Sequence, residues 1–111
     1  MTPCEPPVSA PLSITRAEAP EGLVLAVSGE LDAGSVPELE AELERVKAEG
    51  HPRVVLDLRQ LTFVDSAGVT ALLRAKKAAD EAGRVLVLRG PTAQVERVLS
   101  LVGLRDWITF D

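Results

Sequence analysis

Val54-Val55-Leu56-Asp57-Leu58-Arg59-Gln60-Leu61-Thr62-Phe63-Val64-Asp65-Ser66-Ala67-Gly68-Val69 is the stretch on which the reading of this 111-residue chain turns. It opens behind a His51-Pro52 turn with a short apolar run, Val54 to Leu58, that reads as a buried central strand. A polar interruption follows from Thr62 to Gly68, with Leu61 and Phe63 placed in a loop. Val69, Leu72 and Leu73, with the small residues Ala71, Ala75, Ala78, Ala79 and Ala82, then read as a helix whose Ala-rich sides can approach a sheet or another helix closely. Asp57 falls at or near the end of the strand, and Asp65 and Ser66 at the mouth of the helix. In open α/β sheets the carboxyl ends of parallel strands are where sites gather.

Working outward, Leu23, Leu25, Val27 and Gly29 alternate with Val24, Ala26 and Ser28 as a second strand, and Leu12 to Arg16 reads as a short edge strand. The turn Pro20-Glu21-Gly22 between them predicts an antiparallel pair. Ser35 with Glu38 three residues on has the form of a capping box, and Pro37 suits a first helical turn. Val36, Leu39, Leu43 and Val46 carry that helix's apolar stripe, and Gly50 ends it. Beyond the central stretch Gly83 stops the Ala-rich helix and Val85 to Leu88 forms a strand. Val95, Val98, Leu99 and Val102 stripe a last helix that Gly103 closes, and Trp107, Ile108 and Phe110 make a short terminal element. The alternation of strands and helices predicts crossover connections, a mixed four- to five-stranded sheet and helices mainly on one face. Met1 to Pro11, with four of the eight prolines, reads as a flexible arm, so the domain comprises residues 12–111.

Composition narrows the functions available. A chain of this length builds one modest core, and its apolar residues, 46% of the total, include only three aromatics, Phe63, Phe110 and Trp107. Twelve Lys and Arg against seventeen Asp and Glu leave a formal charge of -5. That sign repels phosphate backbones and anionic lipid, which argues against direct nucleic-acid binding. Cys4 is alone, so no disulfide framework exists and a reducing cytoplasm is the simple expectation. No window approaches the length of a membrane span, so membrane insertion is not expected. Whether the domain is a monomer or a weak dimer stays open.

Several chemistries can be weighed on the same residues. A serine hydrolase needs a base within reach of its nucleophile, but the only histidine, His51, stands at the opposite end of the strand from Ser66. Asp32, Asp57 and Asp65 could form a magnesium cluster, yet no lysine lies in the neighbouring loops to balance a transferring phosphoryl group. Gly29 and Gly34 do not amount to a phosphate loop. Ser66 reads two ways: as a cap that accepts a first-turn amide, or as a hydroxyl open to modification. Asp32 reads as a polar turn residue before the first helix. If the stripe is narrow, Val69, Leu72 and Leu73 cannot all point inward, and with Leu61 and Phe63 they leave an apolar face for contact with a partner; if it is wide, all of them belong to the core. No cofactor is called for.

Three motifs in order, Gly29-Glu30-Leu31-Asp32, the Val54 to Leu58 strand, and Phe63-Val64-Asp65-Ser66-Ala67-Gly68-Val69, resemble the STAS domain, and especially the free-standing bacterial anti-sigma factor antagonists. The resemblance covers nearly the whole chain after the arm and implies an α/β STAS-like domain with no catalysis of its own. It implies that Ser66 is a phosphoacceptor, that Asp65 is the aspartate preceding it, and that Asp32 is the loop aspartate beside it. The partner-binding surface it implies comprises Asp32, Asp65, Ser66, Ala67, Gly68, Val69 and Leu73. The implied partners are a serine-kinase anti-sigma factor, bound while Ser66 is unphosphorylated, and a phosphatase of the PP2C type. Ala67 stands where many relatives have a second serine. The same fold also serves as an unswitched subunit of a lipid-transport ATPase or of stress-signalling assemblies, which is the alternative the sequence leaves.

Overall fold

A computed structural model of the chain describes residues 11–101. The order of elements is β1 (Ser13–Ala19), β2 (Gly22–Leu31), α1 (Val36–Glu49), β3 (Arg53–Val64), α2 (Ser66–Glu81), β4 (Val85–Arg89) and α3 (Ala93–Leu101). The sheet runs β1-β2-β3-β4, with β1 antiparallel to β2 and the other two pairings parallel. The helices cover one face of this mixed sheet, as the alternation of elements predicts. Most of the expected arm, and Val102, Gly103, Trp107, Ile108 and Phe110, lie outside the described residues.

In β2 the odd residues Leu23, Leu25, Val27 and Leu31 are buried and meet Leu39 and Val46 of α1, Val69 and Leu72 of α2, and Val95 and Leu99 of α3 in one core. The even residues are half-buried. A strand with period-two burial and helices striped at three and four residues can share only one face, which is why a single layer of helices suffices. Arg16 of β1 ties the edge strand to α1 through Glu42 at 2.9 Å and Glu49 at 2.7 Å.

The largest departure from expectation is β3. It does not end near Leu58 but continues to Val64, so Leu61 to Val64 are strand and not loop, and Leu61 is fully buried. The pairing with β2 explains why alternation missed this. Ala26 pairs with Asp57 and Ser28 with Gln60, then Gly29 pairs with Leu61 and Glu30 with Phe63. Twice, β3 takes one more residue than β2, and each such bulge shifts the side-chain alternation by one position. Burial therefore runs through Leu58, Leu61 and Val64 at three-residue steps, with the exposed pairs Arg59-Gln60 and Thr62-Phe63 between. Gly29 has φ 93° beside the second shift, a conformation glycine adopts without strain, and its carbonyl accepts the Thr62 hydroxyl at 3.0 Å. The edge strand is also longer than expected, reaching Ala19 because all seven of its residues find partners on β2.

Candidate functional site

The longer β3 carries the chain to the top of the sheet, where it meets the end of β2. Leu31 and Val64 are paired, and the Asp65 amide donates to the Leu31 carbonyl at 3.2 Å. Asp65 itself is extended and caps α2, one carboxylate oxygen accepting the Gly68 amide at 2.9 Å. Its other oxygen accepts the Ala33 amide at 3.3 Å. A single carboxylate thus binds the start of α2 to the turn that begins α1, uniting two segments 32 residues apart.

Asp32 organises that turn. Its carboxylate accepts the Gly34 and Ser35 amides, both at 3.0 Å, and its carbonyl accepts Val36 N at 2.9 Å. The expected Ser35–Glu38 capping box does not form. The Ser35 hydroxyl instead donates to the Glu30 carbonyl at 2.9 Å and accepts the Asp32 amide at 3.0 Å. It is consumed in closing the turn, and α1 starts without a side-chain cap, the Asp32 carbonyl accepting its first amide.

With Asp65 in the capping role, Ser66 is released from it. Ser66 is exposed at the first position of α2, and among the described residues its hydroxyl has no hydrogen-bond partner. The expectation that Ser66 accepts a first-turn amide is replaced by Asp65 doing so, because an extended residue immediately before the helix aims its carboxylate at the third amide on. Thr70, one turn later, is exposed but engaged, donating to the Ser66 carbonyl at 2.9 Å.

Of the other residues singled out, Ala67 is half-buried, whereas Gly68 and Val69 are buried and face the core. Leu72 points inward at 3% exposure and Leu73 outward at 37%, which settles how the apolar run divides. Ser66, Thr70 and Leu73 follow at i, i+4 and i+7, one exposed face of α2. Phe63, at 39% exposure, adds an aromatic two residues before Asp65. The bulge that turns it outward leaves no local signature in the sequence.

Asp57 does not join this site. It lies mid-strand between Ala26 and Arg89, 8% exposed, in an ion pair with Arg59 at 2.6 Å. The Arg59 hydrogen bonds hold its carboxyl below the ordinary carboxylate range, with burial working the other way. The magnesium reading fails with it: among the described residues no group of three or more His, Cys, Asp or Glu could hold a metal ion. His51 precedes β3 and bonds Glu49 at 2.9 Å. Twelve strand residues, about 40 Å at roughly 3.3 Å each, separate it from Ser66.

Comparison with known proteins bears on the family and the fold. The family model described as "Mlab, STAS domain" matches residues 14–109. An anti-sigma-B factor antagonist of Staphylococcus epidermidis is 32% identical over 80 residues, 72% of this chain and 74% of that protein. The crystal structure of an anti-sigma factor antagonist from Mycobacterium paratuberculosis superposes with a TM-score of 0.78 at 26% identity, covering 93% of this chain and 89% of that one. The Bacillus cell fate determinant SpoIIAA in its phosphorylated form gives a TM-score of 0.68 at 22% identity, covering 90% of each chain, a likeness of fold. Domains of this kind regulate and scaffold and do not catalyse, and this chain belongs to the STAS domain family, in which it is similar to the anti-sigma factor antagonists.

Proposed function

We propose that this protein is an anti-sigma factor antagonist that binds a serine-kinase anti-sigma factor while Ser66 is unphosphorylated and is released when that kinase phosphorylates Ser66. The observation that carries the reading is the exposed Ser66 hydroxyl, free of the capping duty that Asp65 performs. A serine needed to hold the helix would be poorly placed to serve as a phosphoacceptor; this one is not needed. A phosphatase of the PP2C type restores the binding form, and the whole cycle runs in the cytoplasm, with the antagonist a monomer or weak dimer.

The contact surface we assign is Ser66 with Ala67 and Leu73 on α2, flanked by Asp65 and the Asp32 turn. Gly68 and Val69 serve it from beneath, by seating α2 against the sheet. Phe63 extends the apolar part of the surface. Phosphorylation adds about -1.5 to -2 charge and three acceptor oxygens. The α2 N-terminus tolerates an anion well, so the domain keeps its fold. The cost falls at the interface. Two charges against one at about 8 Å repel by roughly 1 to 4 kcal/mol between water-like and surface-like dielectric, and the middle of that interval exceeds tenfold in affinity.

The test is intact mass of the purified protein after incubation with ATP and each candidate serine-kinase anti-sigma factor, with Ser66→Ala alongside. One added phosphate, absent from the S66A protein, supports the switch. No added phosphate with any of the kinases would favour the second reading, an unswitched subunit of a lipid-transport ATPase or stress-signalling assembly.

A further inference from the structure

Away from Ser66, toward the edge of the sheet where β3 and β4 begin, an open groove of about 400 Å3 runs between α1 and α2. Its origin is the Ala-rich helix. Ala75, Ala78 and Ala79 of α2, with Ala82 just past its end, line the groove, as does Leu43 of α1. Side chains that end at Cβ cannot fill the space between the helices. The floor, Val46, Val54 and Leu86, is at most 6% exposed and belongs to the core. Val85, at 46% exposure, opens the groove to solvent at one end. This volume lies in the range of small-molecule pockets, roughly 300 to 1,000 Å3.

The rim carries cations without partners. Arg16, Arg45, Arg59, Lys76 and Arg89 have carboxylate partners. Among the described residues Lys47, Arg74 and Arg84, which border the groove, have none, and neither do Arg53, Lys77 and Arg97 away from it. Glu44 and Glu40 stand on the α1 wall, one and two turns before Lys47, so Lys47 and Arg84 define the cationic end. An apolar trough with unpaired cations at one end is complementary to an amphiphilic anion.

We propose that this groove binds a free long-chain carboxylate, its aliphatic chain along Ala75, Ala78 and Ala79 and its carboxylate between Lys47 and Arg84. The site is independent of the Ser66 switch. Titration of the full chain with cis-parinarate, a fluorescent fatty carboxylate, gives saturable one-site binding, displaced by palmitate more strongly than by cetyl alcohol. The Ala75→Leu/Ala78→Leu double variant, which fills the trough, binds about tenfold or more weakly, the scale that overpacking brings. The Lys47→Gln/Arg84→Gln variant keeps parinarate fluorescence but no longer prefers palmitate over the alcohol. Circular dichroism melting shows that each variant is folded, and Ser66→Ala binds as the parent does. Unsaturable binding, or equal affinity in the filled variant, overturns the proposal. So does binding to phosphatidylglycerol vesicles without binding of the free carboxylate. A parent dimer that the filled variant breaks, seen by sedimentation, would assign the groove to a second copy instead.

Discussion

Replacing Gly68 with alanine tests the packing that sets the height of α2 over the sheet. A Cβ at that position would stand 2.6 Å from the Leu31 carbonyl oxygen, 2.6 Å from Val64 Cγ2 and 3.0 Å from Leu31 Cγ. Helix propensity favours alanine by up to about 1 kcal/mol, so a free helix would gain from the change. Against it stands overpacking, typically about 1 to 3 kcal/mol. The carbonyl cannot retreat cheaply, because it accepts the Asp65 amide at 3.2 Å. Lifting α2 to relieve the contact would stretch that bond and the Ala33–Asp65 tie at 3.3 Å, each worth about 1 kcal/mol. The net expectation is a loss of about 1 to 3 kcal/mol, or a fall in Tm of roughly 5 to 15 °C for a domain of this size. Urea and thermal unfolding read it directly, with faster amide exchange at Asp65 and Ala33 as the local signature. A G68A protein as stable as the parent would falsify the seating of α2 described above.

Asp65→Ala removes both a cap and a link between segments; unfolding should show a loss of about 1 to 2 kcal/mol, with exchange protection falling at Gly68 and Ala33 and holding elsewhere in α2. Ser66→Ala, by contrast, should change stability by less than about 0.5 kcal/mol, since Asp65 retains the cap, and a larger loss in urea unfolding would return the cap to Ser66. Ser66→Asp places an anion at the helix N-terminus, so it should melt no lower than the parent while binding of the kinase partner, read by calorimetry, drops about tenfold or more. Acid should act through Asp57, Glu42 and Glu49. The first is held below its ordinary range by Arg59, the other two by hydrogen bonds from Arg16 first. A depressed folded-state value means that their contribution is complete above the ordinary carboxylate range and is lost as pH falls through the lower, folded-state values. Stability should be level from neutral pH to about 5 and fall below about 4; Asp57→Asn should flatten that fall, and an unchanged acid limb would sink the assignment.

Elements with regular periodicity were legible in the chain itself. The stripe of Val36, Leu39, Leu43 and Val46 placed α1, and Gly50, with φ 80°, ends it as a left-handed glycine does. The turn at Pro20 to Gly22 gave the antiparallel β1–β2 pair. Legibility failed where two rules compete for the same residues. Leu61 to Val64 carry strand residues, but two bulges convert alternation into three-residue steps, and no period-two reading survives that. Ser35 and Glu38 match a capping box, yet a nearby carbonyl, Glu30 O, captured the serine hydroxyl.

Local chemistry and burial pattern are properties of consecutive residues, and so the α/β class, the pairing of β1 with β2, and the location of Asp65 and Ser66 at a helix mouth could be read without coordinates. Which of two adjacent polar side chains caps α2 could not. That depends on the backbone angle with which the chain leaves β3, set by pairing between Leu31 and Val64, 33 residues apart. The same long-range register turned Asp57 away from the site and Phe63 outward, and joined Ala33 to Asp65. Only the tertiary structure decided these, because each is a choice among conformations of nearly equal local energy that a distant strand resolves.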